Sequence, residues 1–348
     1  MQVKVSVLGH FGEGMNLLNG QTVKTKIITE ELCQRLGKGQ VLKIDTHGGW
    51  KTLLKAPAHV IYSLKNSQNV LIFPAHNGLR VYAPLLAALK GLFKGRKLHY
   101  VVIGGWLSEF LNGRAGLATA LKKFDGIYVE TTSMKTALEK MGFANVYIMP
   151  NCKQLAVLSE DELIYAQSAP YRVCTFSRVM KEKGIEDAVN AVRAVNENLG
   201  KTVYALDIYG PVAAGQTEWF DTLQAEFPEY VSYKGSVDAD KSVAVLKDYF
   251  ALLFPTRFYT EGIPGTLIDA YAAGVPVITS LWVNHADVFI DGMTGWGYEF
   301  GNAEELKKLL LKAADQPQEF LSMKKTALAE TKKYMPEAAI QNLVQRIV

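Results

Sequence analysis

Phe254-Pro255-Thr256-Arg257-Phe258-Tyr259-Thr260-Glu261-Gly262-Ile263-Pro264-Gly265-Thr266-Leu267-Ile268-Asp269-Ala270-Tyr271-Ala272-Ala273-Gly274-Val275-Pro276-Val277-Ile278 is the stretch from which the fold can be read. An apolar run stops at Pro255, the pattern of a buried strand that ends in a loop. The loop carries Glu261 to the carboxyl edge of a sheet. A helix is expected from near Pro264, because the first helical turn has no partner for the N–H that proline lacks. The free amides around Gly265 and Thr266 would then face a ligand and could bind phosphate oxygens. Asp269 follows one turn later on the same side, and Gly274 ends the helix. Read alone, the stretch fits an anion site and equally an ordinary βαβ crossover with surface carboxylates.

Outward from this unit the same alternation fills the chain. Strands are expected over 3–8, 41–45, 69–74, 99–103, 126–129 and 146–149. A second set follows over 172–176, 203–208, 231–233, 251–254, 276–279 and 297–300. Helical periodicity falls between them, over 22–36, 83–93 and 132–141, then over 185–198, 217–227, 241–248, 265–273 and 303–314. Such alternation gives parallel sheets covered on both faces. The expected fold class is therefore α/β, with two Rossmann-like domains facing each other across a cleft. An N-terminal domain over 1–155 and a C-terminal domain over 156–335 are joined by the polar stretch 159–169, and a final helix over 336–348 crosses back to the first domain.

A chain of 348 residues favours two domains, and 49% hydrophobic with 21% charged residues excludes wholesale disorder, collagen-like repeats and coiled coils. No apolar run approaches the roughly 18 residues of a membrane helix. The first run is broken by Lys4 and Ser6, unlike a secretory signal. Cys33, Cys152 and Cys174 lie far apart without CxxC spacing, which argues against disulfides or a zinc ribbon and fits a reducing cytoplasm. The net charge of +4 is a cancellation: residues 1–155 carry +12 and residues 156–348 carry −8. An anionic membrane or a nucleic acid could answer the basic half. No aromatic-interleaved basic stripe accompanies the charge, so nucleic acid is set aside.

A second constellation follows the strand at 172–176. Ser177-Arg178-Val179-Met180-Lys181-Glu182-Lys183-Gly184 puts two cations, Arg178 and Lys183, at a strand's carboxyl end. An Arg fork with a Lys point charge can neutralise a diphosphate leaving group without a metal; two solvated surface charges would read the same. Taken together these residues resemble the retaining nucleotide-sugar glycosyltransferases of GT-B fold, the E-x7-E or glycosyl transferases group 1 (family 4-like) class, which includes bacterial surface-polysaccharide enzymes. Residues 177–184 resemble its G-R-x-x-x-E-K-G segment, and Leu206-Asp207-Ile208-Tyr209-Gly210-Pro211 its L-x-I-x-G-x-G-P strand and turn. Residues 231–237 are similar to the strand and loop that pass the nucleobase, and Glu261 to Asp269 resembles the E-x7-E signature. The first half matches more loosely, through Gly12-Glu13-Gly14 and Met149-Pro150-Asn151.

The resemblance implies roles position by position. Arg178 and Lys183 would hold the donor diphosphate, Glu261 the donor-sugar hydroxyls, and Asp269 the ribose. Amides near Ile263, Gly265 and Thr266 would lie close to sugar and phosphate, Gly210 in the turn beside them, and Val237 against the base. Gly12 and Gly14 would let the first loop approach the diphosphate. Departures are Asp269, one methylene shorter than the usual Glu; Tyr209, where a small residue is common; Asn151-Cys152-Lys153 at the boundary; and Gly104-Gly105-Trp106 where a histidine is often found. His76 is then the acceptor-side candidate, with a purely structural role also open.

Asp238-Ala239-Asp240 has the form of a metal-binding D-x-D but precedes a helix, so capping is expected. Gly9-His10-Phe11-Gly12-Glu13-Gly14 lacks G-x-G-x-x-G spacing, and only Asp45 could serve as the acid of a dinucleotide site. The apolar run 84–93 leading into Lys94, Arg96 and Lys97 reads either as a membrane-facing helix or as a core helix with a basic end. The resemblance implies a metal-independent, retaining, hexosyltransferase-type enzyme with no cofactor. It would take a UDP- or GDP-sugar to a glycan or lipid-diphosphate-linked acceptor, as a cytoplasmic protein peripheral at the inner membrane face. A nucleotide-sugar epimerase or hydrolase and a non-catalytic scaffold of the same fold are the rivals.

Overall fold

The computed structural model describes residues 2–12, 14–15 and 20–348; Glu13 of the glycine loop lies outside them. The chain divides into two units, Met1–Gln154 with Lys333–Val348, and Leu155–Lys332. In the first, β1 (Val3–Gly9), β2 (Val41–Asp45), β3 (Ser67–Ile72), β4 (Lys97–Val101), β5 (Gly126–Val129) and β6 (Val146–Ile148) form a parallel sheet in the order β2-β1-β3-β4-β5-β6. Val5 pairs with Val41 on one side and Asn69 on the other. Val5, Val7, Val70, Leu71 and Ile72 are all fully buried, as strands between two helical layers must be.

The C-terminal helices Pro336–Ala339 and Gln341–Ile347 belong to this first unit. Ile340, Leu343 and Ile347 pack with Val5, Val7, Leu71 and Val101. Asn69 ties them to the sheet: its Nδ2 donates to the carbonyls of Lys4 (2.9 Å) and Ile347 (3.0 Å). Its Oδ1 is left to accept from His99 Nε2 at 3.2 Å, while His99 Nδ1 accepts from the Tyr128 hydroxyl at 3.1 Å. The network assigns the neutral ring, and burial holds the His99 pKa down, to about 4.

The second unit holds β7 (Tyr171–Phe176), β8 (Tyr204–Tyr209), β9 (Val231–Gly235), β10 (Ala251–Phe254), β11 (Val277–Leu281) and β12 (Gly295–Glu299), again all parallel, in the order β12-β11-β10-β7-β8-β9. The helix Ile185–Asn198 buries Ile185, Ala188, Val189, Val192 and Val195, spaced three and four apart, against this sheet.

Two expectations need correction. The helix placed at 83–93 runs over His76–Leu89 with Pro84 inside it. Proline is a starting signal in a sequence, but here Leu79, Tyr82, Ala83 and Leu86 all pack into the core, and tertiary burial outweighs one lost backbone bond. That packing also answers the question about the helix: it is a core helix. Its basic end is largely committed, with Lys90 paired to Asp125 at 2.7 Å, Arg96 Nε on the Leu64 carbonyl at 2.9 Å and Lys97 Nζ on the Arg346 carbonyl at 3.1 Å. Finally, the units part at Gln154/Leu155, and residues 159–169 lie within the second unit, where Gln167 Nε2 donates to the Tyr249 carbonyl.

All three cysteines are buried and unpaired. No helix among the described residues is long and apolar enough to cross a membrane.

Candidate active site

β7 hydrogen-bonds to β8 on one side and β10 on the other. It is the point where strand order reverses, so the loops leaving β7 and β10 open a crevice at the sheet's carboxyl edge. The first loop carries Arg178 and Lys183, the second Thr256 to Glu261. They are sewn together: Arg257 N–H donates to the Glu182 carbonyl at 2.8 Å, and Arg257 Nε to Asp187 Oδ2 at 2.7 Å. Gly184, at φ +69°, presses its backbone against the Pro255 carbonyl.

The outcome is a direct ion pair between Lys183 Nζ and Glu261 Oε2, their side chains only 15% and 18% exposed. Lys183 also lies over the rings of Phe254 (5.4 Å) and Phe258 (5.1 Å). Glu261 is held in turn by its backbone, whose carbonyl accepts from Asn284 Nδ2 at 2.6 Å. Thr256 braces the loop: its carbonyl accepts from Ser280 Oγ at 2.7 Å and its hydroxyl from Phe258 N–H at 3.2 Å. Arg178 is exposed, and among the described residues its guanidinium has no partner. A paired Lys and a free Arg thus share one sheet edge, a cationic seat with one half still open.

The helix Gly265–Ala272 starts beside this loop, with Pro264 extended before it. Its first turn carries Gly265 and Thr266; the Thr266 hydroxyl is buried and, among the described residues, makes no hydrogen bond. Ile263 is buried just before it. Asp269, the expected ribose ligand, is only 2% exposed, and its Oδ1 accepts from Ser242 Oγ at 2.9 Å. Gly210 has φ +129°, and a Cβ there would meet the Ser177 carbonyl oxygen at 1.9 Å. Its absence lets the turn after β8 lie against the Arg178 loop. Val237 is half-buried in the loop after β9. Asp238 does not cap the following turn as expected; its carboxylate takes Lys241 Nζ at 2.9 Å. Among the described residues no cluster of three or more His, Cys, Asp or Glu could hold a metal.

Within the first unit, the carboxyl ends of β1, β2 and β3 surround a cavity of about 370 Å³ lined by His10, Gln21, Thr46, Trp50, Pro74 and His76, among others. His76 opens its helix and stacks on Trp106, ring centroids 4.1 Å apart. Burial, and then its neighbour His47, push the His10 pKa below its ordinary value, with Asp45 opposing them. Asp45 Oδ1 accepts from the N–H groups of Phe11 (3.0 Å) and His47 (2.8 Å), so it fastens the two loops rather than standing ready for a ribose. Gly12 and Gly14 both have positive φ, in a second cavity with Lys26 and Lys43. Thr256, Asn284, Ser242 and Trp50 carry no motif; His10 alone had a signal, its place directly after the first strand.

Residues 165–330 match the model of the family Glycosyl transferases group 1. The matched stretch contains Arg178, Lys183, Glu261 and Asp269. AmsK of Erwinia amylovora, an amylovoran biosynthesis glycosyltransferase, is 26% identical over 148 residues, which is 41% of this chain and 36% of AmsK. WcaL of Escherichia coli, whose name ties it to colanic acid biosynthesis, is 24% identical over 151 residues, 42% of this chain and 37% of WcaL. These matches span little more than a third of either relative. Among solved structures, Anabaena HepE in complex with UDP superposes at TM-score 0.74 with 12% identity, covering 99% of each chain. The lipopolysaccharide outer core galactosyltransferase WaaB gives 0.71 and 14%, covering 99% of this chain and 98% of its own. At that identity the likeness establishes the fold: α/β, two doubly wound units of GT-B type, as the motifs implied.

Proposed function

We propose that the chain is a retaining glycosyltransferase that moves a hexose from a nucleotide sugar to a glycan or lipid-diphosphate-linked acceptor in surface-polysaccharide synthesis. The observation that carries this reading is the ion pair of Lys183 with Glu261 at the β7/β10 edge, with exposed Arg178 on the same loop as Lys183, inside the stretch that matches the family. Glu261 would take the donor-sugar hydroxyls. Arg178 and Lys183 would face the diphosphate and offset the charge that grows as the bond from the anomeric carbon to phosphate breaks. The acceptor hydroxyl would attack from the leaving group's own side and pass its proton to the departing phosphate oxygen, so no protein base is required. The two cations supply the neutralisation otherwise expected of a divalent metal. HepE is a UDP complex, which supports a UDP-sugar as donor, with GDP-sugars next. The cavity beside His10 and His76 would take the acceptor.

A second reading, nucleotide binding without turnover, draws on Asp269, whose carboxylate already has the Ser242 hydroxyl. The two are separated by measuring thermal shifts with UDP- and GDP-sugars and then donor consumption with EDTA present. Turnover with EDTA that falls about 10²–10³-fold in Arg178→Ala or Lys183→Ala is expected. A nucleotide shift with no consumption would favour the second reading, and wild-type turnover in both variants would overturn the first.

A further inference from the structure

The helices Trp50–Leu54 and Ala56–Asn66 meet through Lys55, itself helical at φ −84°, ψ −4°, and so form one nearly continuous run. Ala56, Val60 and Leu64 point into the core. On the opposite side Trp50 is 68% exposed, Leu54 72%, Ile61 46% and Tyr62 53%. The spacing of 4 and then 7 residues sets Trp50, Leu54 and Ile61 on one stripe, with Tyr62 at its border. A contiguous apolar stripe of this kind on the outside of a folded unit marks a surface that something else covers.

Charge says what covers it. From residue 46 to residue 108 there is no Asp or Glu, against eight Lys and Arg. Lys55 and Lys65 are exposed on the same run, and among the described residues neither ammonium has an ion-pair partner. We propose that this stripe docks the protein on an anionic lipid bilayer, with Leu54 and Ile61 in the acyl boundary, Trp50 and Tyr62 at headgroup level, and Lys55 and Lys65 on lipid phosphates. Trp and Tyr are the residues that favour that interface, and an apolar stripe with a basic border is the pattern of a helix lying in it. A second copy of this chain fits poorly, since self-pairing would bring like charges together. Trp50 also lines the cavity that holds His10 and His76, so the docked edge is the cavity's rim. A membrane-borne acceptor would enter there. That last step rests on the glycosyl transfer proposed above; the docking does not.

The test is flotation of the whole chain with vesicles of phosphatidylcholine alone or with one quarter phosphatidylglycerol, at low and high salt, without any nucleotide. The protein is expected to float with the anionic vesicles only, and less at high salt. The triple variant Leu54→Ser, Ile61→Ser, Tyr62→Ser should lose at least about tenfold in bound fraction, and Lys55→Gln with Lys65→Gln about fivefold. Lys94→Gln with Lys123→Gln, equal in charge but off the stripe, should float as wild type. Unchanged circular dichroism and unchanged thermal shift with a UDP-sugar keep loss of docking distinct from loss of fold or of the donor site. No binding to anionic vesicles, or equal binding by the triple variant, overturns the proposal. So does a solution dimer of the wild type that the triple variant abolishes, because it would assign the stripe to a second copy.

Discussion

Gly184 has φ +69°, and a Cβ on it would stand 1.9 Å from the Pro255 carbonyl oxygen. The left-handed backbone costs an L-residue about 1–2 kcal/mol, and relieving the clash adds about 1–3 kcal/mol. Gly184→Ala should therefore lower the stability of the second unit by more than about 2 kcal/mol in urea unfolding. Because Lys183 is its neighbour, donor affinity should fall with it; unchanged stability would mean that the two loops are not pressed together. His99 gives a prediction in pH. Its native pKa is held to about 4 by burial, whereas the unfolded ring titrates near its ordinary 6.5. Above pH 6.5 both states are neutral and the group contributes no slope. Between about 6.5 and 4 only the unfolded chain takes the proton, so stability falls as pH falls, by about 1.4 kcal/mol per unit. Urea unfolding of His99→Gln should be flatter than wild type across that window; parallel curves would show that the ring is protonated in the native state.

At the scale of elements, all twelve expected strands are present, most displaced by one or two residues. Strand cores are legible because alternation and β-branching are local, while their ends depend on which amides the neighbouring strand pairs. The helix Gly265–Ala272 was legible almost to the residue, since Pro264 and Gly274 punctuate it. The helix at His76–Leu89 was not, because its first two turns hold His76, Asn77, Gly78 and Arg80, which announce a loop. The site shows the same division. Arg178, Lys183 and Glu261 could be named from motifs; the bracing by Thr256 and Asn284, and the Ser242 hydroxyl on Asp269, could not. The Asn284–Glu261, Ser280–Thr256 and Ser242–Asp269 bonds join residues 23, 24 and 27 positions apart, and no spacing in the chain encodes them.

At the scale of the whole molecule, the last sixteen residues return to the first unit. Leu343 is fully buried there beside Val5 and Val7. Leu343→Ala should cost about 2–5 kcal/mol, seen as a lower unfolding midpoint for the first unit with the nucleotide-induced thermal shift retained. A neutral result would mean that the C-terminal helices contribute little to that core.

Two parallel α/β units, the twelve strands, the positions of Arg178, Lys183, Glu261 and Asp269 beside strand ends, and the uneven distribution of charge can all be read along the chain. Each of these is written in local period, in glycine and proline punctuation, or in plain counts. Which of these groups are free emerges only on folding. Lys183 is paired while Arg178 is open, Asp269 is buried against Ser242, and the apolar helix at His76–Leu89 faces inward while Trp50, Leu54 and Ile61 face solvent. The physical reason is that burial and pairing depend on contacts between residues far apart in the chain. A helix with one apolar face records that it has a partner, and leaves open whether that partner is its own sheet or a surface outside the molecule.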